Sequence, residues 1–402
     1  MTDLLWPGDE RAERVFSDPA IVEAMVAVED AWLGALVANG VAPASAAGAL
    51  TGLVGDDDVV GLATGAESGG NPVIGLVALL RERTDGETAR WLHRGLTSQD
   101  VLDTALVLCA RDAINAIDEA VRGQLGAIVR LATEHRDTPM VARTLTQPAV
   151  PQTFGAKVAR WGEGIVDAAA GLRRVRSSLP VQLGGAAGTM AAATELSGDQ
   201  AVALALVRET AERLGLDTSL PWHTSRGRLT EIGDALVTCT DAWGHVAADV
   251  LVMTRPEIGE VSEGTGGGSS TMPHKSNPVM SVLLRRTALV APGLAQTLHL
   301  AAATMEDERA AGAWHAEWDA LRLLARRTLV AARHAEVLLG GLRVDVERMS
   351  FNLASATGVE AEQQSMVKLT GRLPSSSYLG IAPLLADSAV SSIRDFLEED
   401  PA

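Results

Sequence analysis

The amino-acid sequence predicts an all-α protein, and three observations support that prediction. Of the 402 residues 47% are hydrophobic but only 3% are aromatic, and alanine, leucine and valine are abundant. This balance suits close packing of helices better than a sheet, which favours β-branched and aromatic side chains. Long runs with apolar residues at helical spacing recur along the chain, separated by segments rich in glycine, proline or serine. We therefore expect a bundle of long helices.

The individual helices follow from local signals. The first is predicted from Asp18, with Pro19 in its first turn, to the stop signal Asn39-Gly40. A second run begins near Ser98 and continues without proline to about His135, which is long for a globular helix. Further long runs cover residues 153–178, 227–254, 279–304 and 317–341. The breaks between them predict three parts: an N-terminal helical domain over 1–90, a central bundle over 91–341 and a short C-terminal helical domain over 342–402.

Charge and cysteine content exclude several classes of protein. The net charge of -17 argues against nucleic acid or an anionic membrane surface as the main partner. A small anionic substrate is compatible with it, because a few cations can be focused inside a cleft. Cys109 and Cys239 lie in apolar runs and are expected to be buried thiols. The N-terminus lacks the pattern of a signal peptide and no run is apolar enough to span a membrane, so we expect a cytoplasmic protein.

Five polar segments interrupt the helical pattern at joins between long runs. They are HRGLTSQD (93–100), ARTLTQPAVPQTFG (142–155), LGGAAGTM (183–190), PWHTSRGR (221–228) and GTGGGSSTMPHKSNP (264–278). Helix ends of this kind can converge on one cleft, where unpaired N–H groups and partial positive charge favour an anion. The alternative for any single segment is a capped turn.

The segment 264–278 is the least compatible with a simple turn. Three consecutive glycines, Gly266 to Gly268, indicate unusual dihedral angles, close backbone approach to a ligand or a moving lid. A phosphate-binding loop is excluded, because Lys275 stands seven positions after Gly268 instead of directly after the last glycine. A flexible linker would gain nothing from Lys275, Asn277 and two prolines so close together.

At this point the sequence resembles the fumarase/aspartase superfamily. Its signature GSSxMPxKxNP is similar to GSSTMPHKSNP here, Gly268 to Pro278, and HRGLTSQD and ARTLTQPAVPQTFG match its two other signature regions in order. The resemblance implies a homotetramer with a central bundle of long helices and active sites shared between three subunits. It also implies a small di- or tricarboxylate substrate. With no HExxH or CxxC pattern present, we expect neither metal nor cofactor.

The resemblance assigns roles to residues at matching positions. Ser269 would be the catalytic acid or base toward carbon, and Lys275 and Asn277 would bind substrate carboxylate and the enolate-like charge. The hydrogen-bond donors to substrate carboxylates would be Thr97, Ser98, Thr144 and Gln147. Arg226 would hold a carboxylate with two parallel hydrogen bonds. His93 and His223 are candidates for hydrogen bonding to substrate, with a structural role in a turn as the alternative. His274 would shape the signature loop.

Two departures from the superfamily pattern indicate the reaction. Leu145 follows Arg143-Thr144 where other members carry histidine, and Val282 replaces the glutamate that pairs with that histidine. Loss of both resembles the bacterial 3-carboxy-cis,cis-muconate cycloisomerases, which would imply closure of the muconate to 4-carboxymuconolactone in aromatic degradation. Because Pro148 replaces another histidine, a related lyase acting on a succinyl-type substrate, similar to adenylosuccinate lyase, remains an alternative. A catalytically silent structural relative is the alternative from another class.

Overall fold

The helical bundle accounts for most of the chain. The computed structural model describes residues 3–264, 267–268, 272 and 276–399. The α helices in that part of the chain are α1 (Asp18–Ala38), α2 (Val59–Gly69), α3 (Val73–Glu82), α4 (Gly86–Trp91), α5 (Ser98–Glu134), α6 (Phe154–Arg176), α7 (Ala191–Ser197), α8 (Gln200–Leu214), α9 (Gly227–Met253), α10 (Val279–Ala303), α11 (Ala313–Gly341), α12 (Val346–Ser355), α13 (Ala361–Thr370) and α14 (Ala382–Glu398). The prediction of an all-α protein is confirmed.

The predicted helix boundaries agree closely with the structure. Helix α1 begins at Asp18 because the Ser17 hydroxyl caps it, accepting a hydrogen bond from Ala20 N at 3.3 Å, and Asn39 ends it. The long helices α5, α6, α9, α10 and α11 correspond to the five long runs, and α11 begins a few residues earlier than predicted. These elements were predictable because apolar spacing and caps are local features of the sequence.

A β-hairpin was not predicted. The strands in the described part of the chain are β1 (Pro139–Thr144), β2 (Gln147–Thr153), β3 (Val261–Ser262) and β4 (Arg343–Val344). β1 and β2 pair antiparallel, with Thr144 opposite Gln147 and an irregularity in register between Val141 and Arg143. The prolines of this segment exclude a helix, yet a two-stranded ribbon tolerates them because each strand has a free edge.

The chain divides into two compact units, each built from three segments. The first unit contains Met1–Ala116, Arg174–Leu236 and Pro292–Leu329. In it, α1 packs against α8, and large apolar residues such as Met25, Trp32 and Leu36 are buried on α1. The sequence-based division at residues 90 and 342 follows other boundaries and stays a prediction.

The second unit contains Ile117–Arg173, Val237–Ala291 and Val330–Ala402. Inside it the buried Gln124 side chain joins two helices: it accepts from Trp243 Nε1 at 2.7 Å and donates to Ala332 O at 2.8 Å. Helix α12 packs against β1, and β3 pairs antiparallel with β4. The residues after 341 are thereby attached both to the hairpin and to the strand that precedes the signature segment.

Gly155, at the start of α6, has no room for a side chain. A Cβ there would lie 2.7 Å from Arg136 Cα and 2.8 Å from His135 O, both backbone atoms. We expect Gly155→Ala to lower the free energy of unfolding by about 2–3 kcal/mol through overpacking. Gly164 in the same helix has open space around its Cα, so Gly164→Ala is the control and should stabilise by up to about 1 kcal/mol. Urea unfolding of both variants tests this; equal effects would contradict it.

Candidate active site

The site residues predicted from the sequence fall in both units. In the first unit are Thr97, Ser98, His93, His223 and Arg226. In the second unit are Thr144, Gln147 and Asn277. Three further predicted residues lie outside the described part of the chain: Ser269, His274 and Lys275. The roles of those three stay predictions.

The start of α5 leaves hydrogen-bond donors open. Thr97 N donates to the Asp100 carboxylate at 2.9 Å, and Asp100 N donates back to Thr97 O at 3.0 Å. Within the described residues, neither the Ser98 hydroxyl nor the Ser98 N–H makes a hydrogen bond. Free N–H groups and the positive end of a 37-residue helix favour a carboxylate. This end of α5 is chemically suited to the role predicted for Thr97 and Ser98.

Asp100 fixes the shape of this helix start. Its buried carboxylate also accepts from Gly184 N at 2.8 Å, Gly185 N at 2.9 Å and Gln182 Nε2 at 3.1 Å. Burial raises the pKa of Asp100 to about 6, although these hydrogen bonds favour the ionised form. The polar segment 183–190 is therefore bound to the first turn of α5 by its backbone N–H groups.

His223 is committed to this network. Its Nδ1 accepts from Gln182 Nε2 at 2.9 Å, and its Nε2–H donates to Gly185 O at 2.9 Å, an assignment of protons that follows from the partners. The ring is buried. With both nitrogens bonded within the chain, the structure favours the structural alternative for His223 over contact with substrate.

Arg226 does not provide the carboxylate clamp expected from the sequence. Its side chain is fully buried, and all five of its N–H groups are bonded: Nη1 and Nη2 to Asp103, Nε and Nη2 to Glu317, and Nη1 to His223 O. Distances run from 2.6 to 3.0 Å. No donor is left for a substrate. Arg226 is instead the centre of a buried ion cluster that joins α5, the start of α9 and α11.

Arg309, which the sequence reasoning missed, provides a cation at the start of α5. Its Nη2 donates to Thr97 Oγ1 at 2.7 Å and its Nε to Gln99 Oε1 at 3.2 Å, while the guanidinium lies 5.6 Å from the ring centre of Trp314. The side chain is exposed. A sequence signal for it was present: residues 304–312, which contain Arg309, form another polar break between two long helices, like the five polar segments.

His93 pairs with a buried acid. Its Nδ1 lies 2.6 Å from Glu29 Oε1, and the Glu29 side chain is fully buried on α1. The backbone of His93 has φ of 61°, in the left-handed region that non-glycine residues rarely occupy. The ring is thus fixed by α1 four residues before Thr97. Its predicted contact with substrate stays a prediction.

Thr144 and Gln147 flank the turn of the hairpin in the second unit. The two turn residues, Leu145 and Thr146, both have positive φ, 47° and 71°, which is the conformation that usually requires Asn-Gly. Leu145 is 96% exposed, and Thr144 and Gln147 are exposed beside it. A strained, exposed turn that presents an apolar side chain between two polar ones is typical of a functional site.

Gly267 and Asn277 pair at the base of the signature segment, residues 264–278, and we call this pair the neck. Gly267 and Asn277 exchange both backbone hydrogen bonds, Gly267 N to Asn277 O at 3.0 Å and Asn277 N to Gly267 O at 2.9 Å. Just beyond it, the buried Glu263 carboxylate caps α10, accepting from Met280 N at 2.9 Å and from Ser281 N and Oγ at 2.8 and 2.7 Å. Asn277 is therefore placed by backbone pairing at the base of the segment that contains Ser269.

A cavity of about 670 Å³ adjoins this neck. It lies entirely within the second unit, and its walls come from β3, β4, the start of α12 and residues 276–278. Charged side chains of both signs contribute to the lining, among them Glu263, Arg343 and Glu347. The cavity thus places charged groups of both signs close to Asn277, which also lines it.

The two positions where the superfamily carries a histidine–glutamate pair hold exposed apolar side chains. Leu145 is 96% exposed at the hairpin tip, and Val282 is 52% exposed on α10. Neither side chain can transfer a proton. Any acid–base chemistry must therefore come from other groups or be supplied by the substrate itself.

The described residues contain neither a metal-binding cluster nor a membrane-spanning helix. No group of three or more His, Cys, Asp or Glu side chains there is arranged to hold a metal ion. Nor does that part of the chain include a helix with the length and apolar character needed to cross a bilayer.

Comparison with known proteins defines the class. A family model described as a lyase matches residues 58–293, more than half of the chain. The chain belongs to this lyase family, within the fumarase/aspartase superfamily, and is an enzyme of the lyase and cycloisomerase type.

Individual relatives cover nearly the whole chain. It is 39% identical to nitrosuccinate lyase of Streptomyces davaonensis over 97% of this chain and 85% of that one. It is 37% identical to 3-carboxy-cis,cis-muconate cycloisomerase of Bradyrhizobium diazoefficiens over 95% of this chain and 86% of the relative. The crystal structure of the 3-carboxy-cis,cis-muconate lactonizing enzyme from Pseudomonas putida superposes with a TM-score of 0.86 at 31% identity, covering 96% of this chain and 97% of the other.

The ion cluster predicts a pH dependence of stability. Burial raises the pKa of Glu317 to about 7, with the nearby Asp103 adding to the shift and Arg226 opposing it. Because the folded-state pKa lies above that of the unfolded chain, this contribution to stability is complete below about pH 4.5 and is lost as pH rises through 7. We expect the free energy of unfolding to fall between pH 5 and 8 by on the order of 1–3 kcal/mol more in the wild type than in Glu317→Gln.

Urea unfolding of both proteins at pH 5 and pH 8, at one protein concentration, measures this difference. The raised pKa of Asp100 acts in the same direction in both proteins and cancels in the comparison. Identical pH profiles of wild type and variant would show that Glu317 is ionised across this range.

Proposed function

We propose that the protein is a cycloisomerase that closes 3-carboxy-cis,cis-muconate to 4-carboxymuconolactone. One carboxylate oxygen of the substrate forms a C–O bond to an alkene carbon, and the π electron pair moves toward the carbon next to a second carboxylate. The aci-carboxylate so formed then takes a proton at that carbon, delivered by Ser269. Relatives bearing this name align over most of the chain, which supports the proposal.

The single observation that carries the proposal is the pair of apolar residues at positions 145 and 282. In this reaction the nucleophile is a substrate carboxylate, which is already ionised at neutral pH because its pKa is about 4. No water or amine has to be deprotonated, so a histidine–glutamate pair has no task. Exposed Leu145 and Val282 are compatible with that chemistry and incompatible with a base at either position.

The start of α5 and Arg309 offer a matching site for one substrate carboxylate. Within the described part of the chain, the Ser98 hydroxyl and N–H make no hydrogen bond, and Arg309 is exposed beside Thr97. Charge-assisted bonds from a guanidinium, combined with a helix N-terminus, favour an anion over a neutral group. Lys275 and Asn277 would stabilise the charge that develops on the second carboxylate.

Thr144 and Gln147 would bind the remaining carboxylate from a neighbouring subunit. The hairpin tip that carries them is exposed in the single chain, as a group that completes another subunit's site has to be. This supports a homotetramer in which active sites are shared. It also gives the strained Leu145–Thr146 turn a reason to persist.

A second candidate is elimination from a succinate that carries a good leaving group, and the 39% identity to a nitrosuccinate lyase favours it. Removal of a proton from the carbon next to a carboxylate, with cleavage of the C–N bond, would release nitrite with its electron pair. Nitrite departs as an anion and needs no proton donor. This candidate therefore shares the key observation, whereas a lyase that releases an amine, as in adenylosuccinate, would need a donor that positions 145 and 282 do not supply.

A pair of assays on the purified protein distinguishes the candidates. Loss of the diene's ultraviolet absorbance is followed with 3-carboxy-cis,cis-muconate, and release of nitrite is followed with nitrosuccinate. We expect the muconate to have the higher kcat/KM, and Ser269→Ala to reduce it about 10²- to 10⁴-fold with the oligomer intact. Higher kcat/KM for nitrosuccinate would replace the first candidate by the second, and turnover of neither would refute both.

Arg309 provides a test of the carboxylate site on α5. Hydrogen bonds to a charged group contribute about 1.5–3 kcal/mol, so Arg309→Gln should lower kcat/KM roughly 10- to 100-fold. The control is Arg14→Gln, because Arg14 is an exposed arginine of the same unit that pairs with Glu23 and Asp56. Steady-state kinetics with the better substrate decides; an Arg309→Gln variant as active as Arg14→Gln would remove Arg309 from the site.

A further inference from the structure

A buried ion pair lies at the base of the hairpin in the second unit. Arg143, next to Thr144, forms two parallel hydrogen bonds to Glu260, Nη2 to Oε1 at 2.7 Å and Nη1 to Oε2 at 2.9 Å. The Glu260 side chain is fully buried and that of Arg143 is 17% exposed. Asn352 of α12 donates to the same Oε1 at 2.9 Å and to Ile258 O at 2.8 Å. We call Arg143, Glu260 and Asn352 the hairpin junction.

The same glutamate is attached to the signature segment through the backbone. Glu260 O accepts from Asp345 N at 2.9 Å, and β3 begins at the next residue and pairs with β4. Glu263, directly after that strand, caps α10, and the neck formed by Gly267 and Asn277 follows. One carboxylate therefore holds the strand that carries Thr144 and the strand that leads to Asn277.

Stability alone gives this arrangement little reason to exist. Burying an ion pair costs desolvation free energy that its attraction often fails to recover, so such pairs contribute little net stability while fixing geometry. A fork-to-fork pair defines the relative orientation of its two partners more tightly than apolar packing does. The junction joins the two segments of this unit that contain predicted substrate-binding residues.

We infer that Arg143, Glu260 and Asn352 are positioning residues for the reaction, coupling the substrate-binding hairpin to the neck of the signature segment. The inference rests on the proposed function for its catalytic part. None of the three contacts substrate; they act by holding Thr144 and Asn277 in the geometry that the reaction requires. Loosening the junction should therefore disturb both segments together and slow turnover.

Arg143→Lys is the test, because lysine keeps the charge but cannot form the two parallel bonds. The matched control is Arg173→Lys, which breaks an ion pair of the same unit with similar burial. Arg173 binds Asp118 through Nε at 2.6 Å and Nη2 at 3.2 Å, with 14% and 10% of the two side chains exposed. Neither Arg173 nor Asp118 contacts the hairpin or the neck through a hydrogen bond among the described residues.

Two measurements are made on both variants. Hydrogen–deuterium exchange is followed in peptides covering β1–β2, β3 and the first turn of α10, and kcat and KM are measured with the better substrate. We expect Arg143→Lys, and not Arg173→Lys, to speed exchange in all three regions and to lower kcat about 10- to 100-fold, as a displacement near 1 Å would. Asn352→Ala leaves the ion pair intact and should show the same pattern more weakly. It replaces Arg143→Lys as the test variant if Arg143→Lys does not fold.

Each outcome has a defined meaning. Faster exchange in the hairpin alone would show that the segments are not coupled, and equal kcat in the two lysine variants would reduce the junction to a structural ion pair. If the wild type turns over neither substrate, the proposed function fails. The exchange data would still decide, independently, whether the junction couples the two segments.

Discussion

The buried guanidinium of Arg226 is the constraint on which the first unit's part of the site depends. One cation pairs with two buried carboxylates, Asp103 of α5 and Glu317 of α11, so both acids would be buried without this partner if it were absent. The cluster still has more acids than cations. That excess is one physical reason why the pKa of Glu317 is raised, since burial and the like charge of Asp103 both favour its neutral form.

A chain of hydrogen bonds connects this cluster to the surface at the start of α5. Asp103 accepts from Gln99 Nε2 at 3.1 Å and from Trp314 Nε1 at 2.9 Å, which fixes the orientation of the Gln99 amide. The other end of that amide accepts from Arg309, whose guanidinium reaches Thr97. An exposed arginine on a connecting segment is thus held by contacts that begin at a fully buried ion pair, which reduces the conformational entropy lost when a substrate binds.

The structure also explains which features the sequence could predict. The helix α1 and the start of α5 were predictable because Pro19, Asn39 and Ser98 signal helix ends through neighbours a few residues away. The role of Arg226 was misjudged because its partners are distant in sequence, Asp103 by 123 positions and Glu317 by 91. Arg309 was missed for the same reason, since its partner Thr97 is 212 positions away. The hairpin was hidden because Pro148 and Pro151 made its second strand resemble a loop.

The hairpin turn connects the backbone geometry with the chemistry. A two-residue turn with positive φ at both positions is formed most easily by Asn-Gly, yet this chain has Leu145 and Thr146 there, and a β-branched threonine is strained in that region. Folding alone would favour replacement of both. An exposed leucine at a strained tip between Thr144 and Gln147 is therefore not explained by folding alone. The proposed reaction would give it a role: the substrate supplies its own ionised nucleophile, and an apolar group beside Thr144 and Gln147 would exclude water from the alkene carbons instead of activating it.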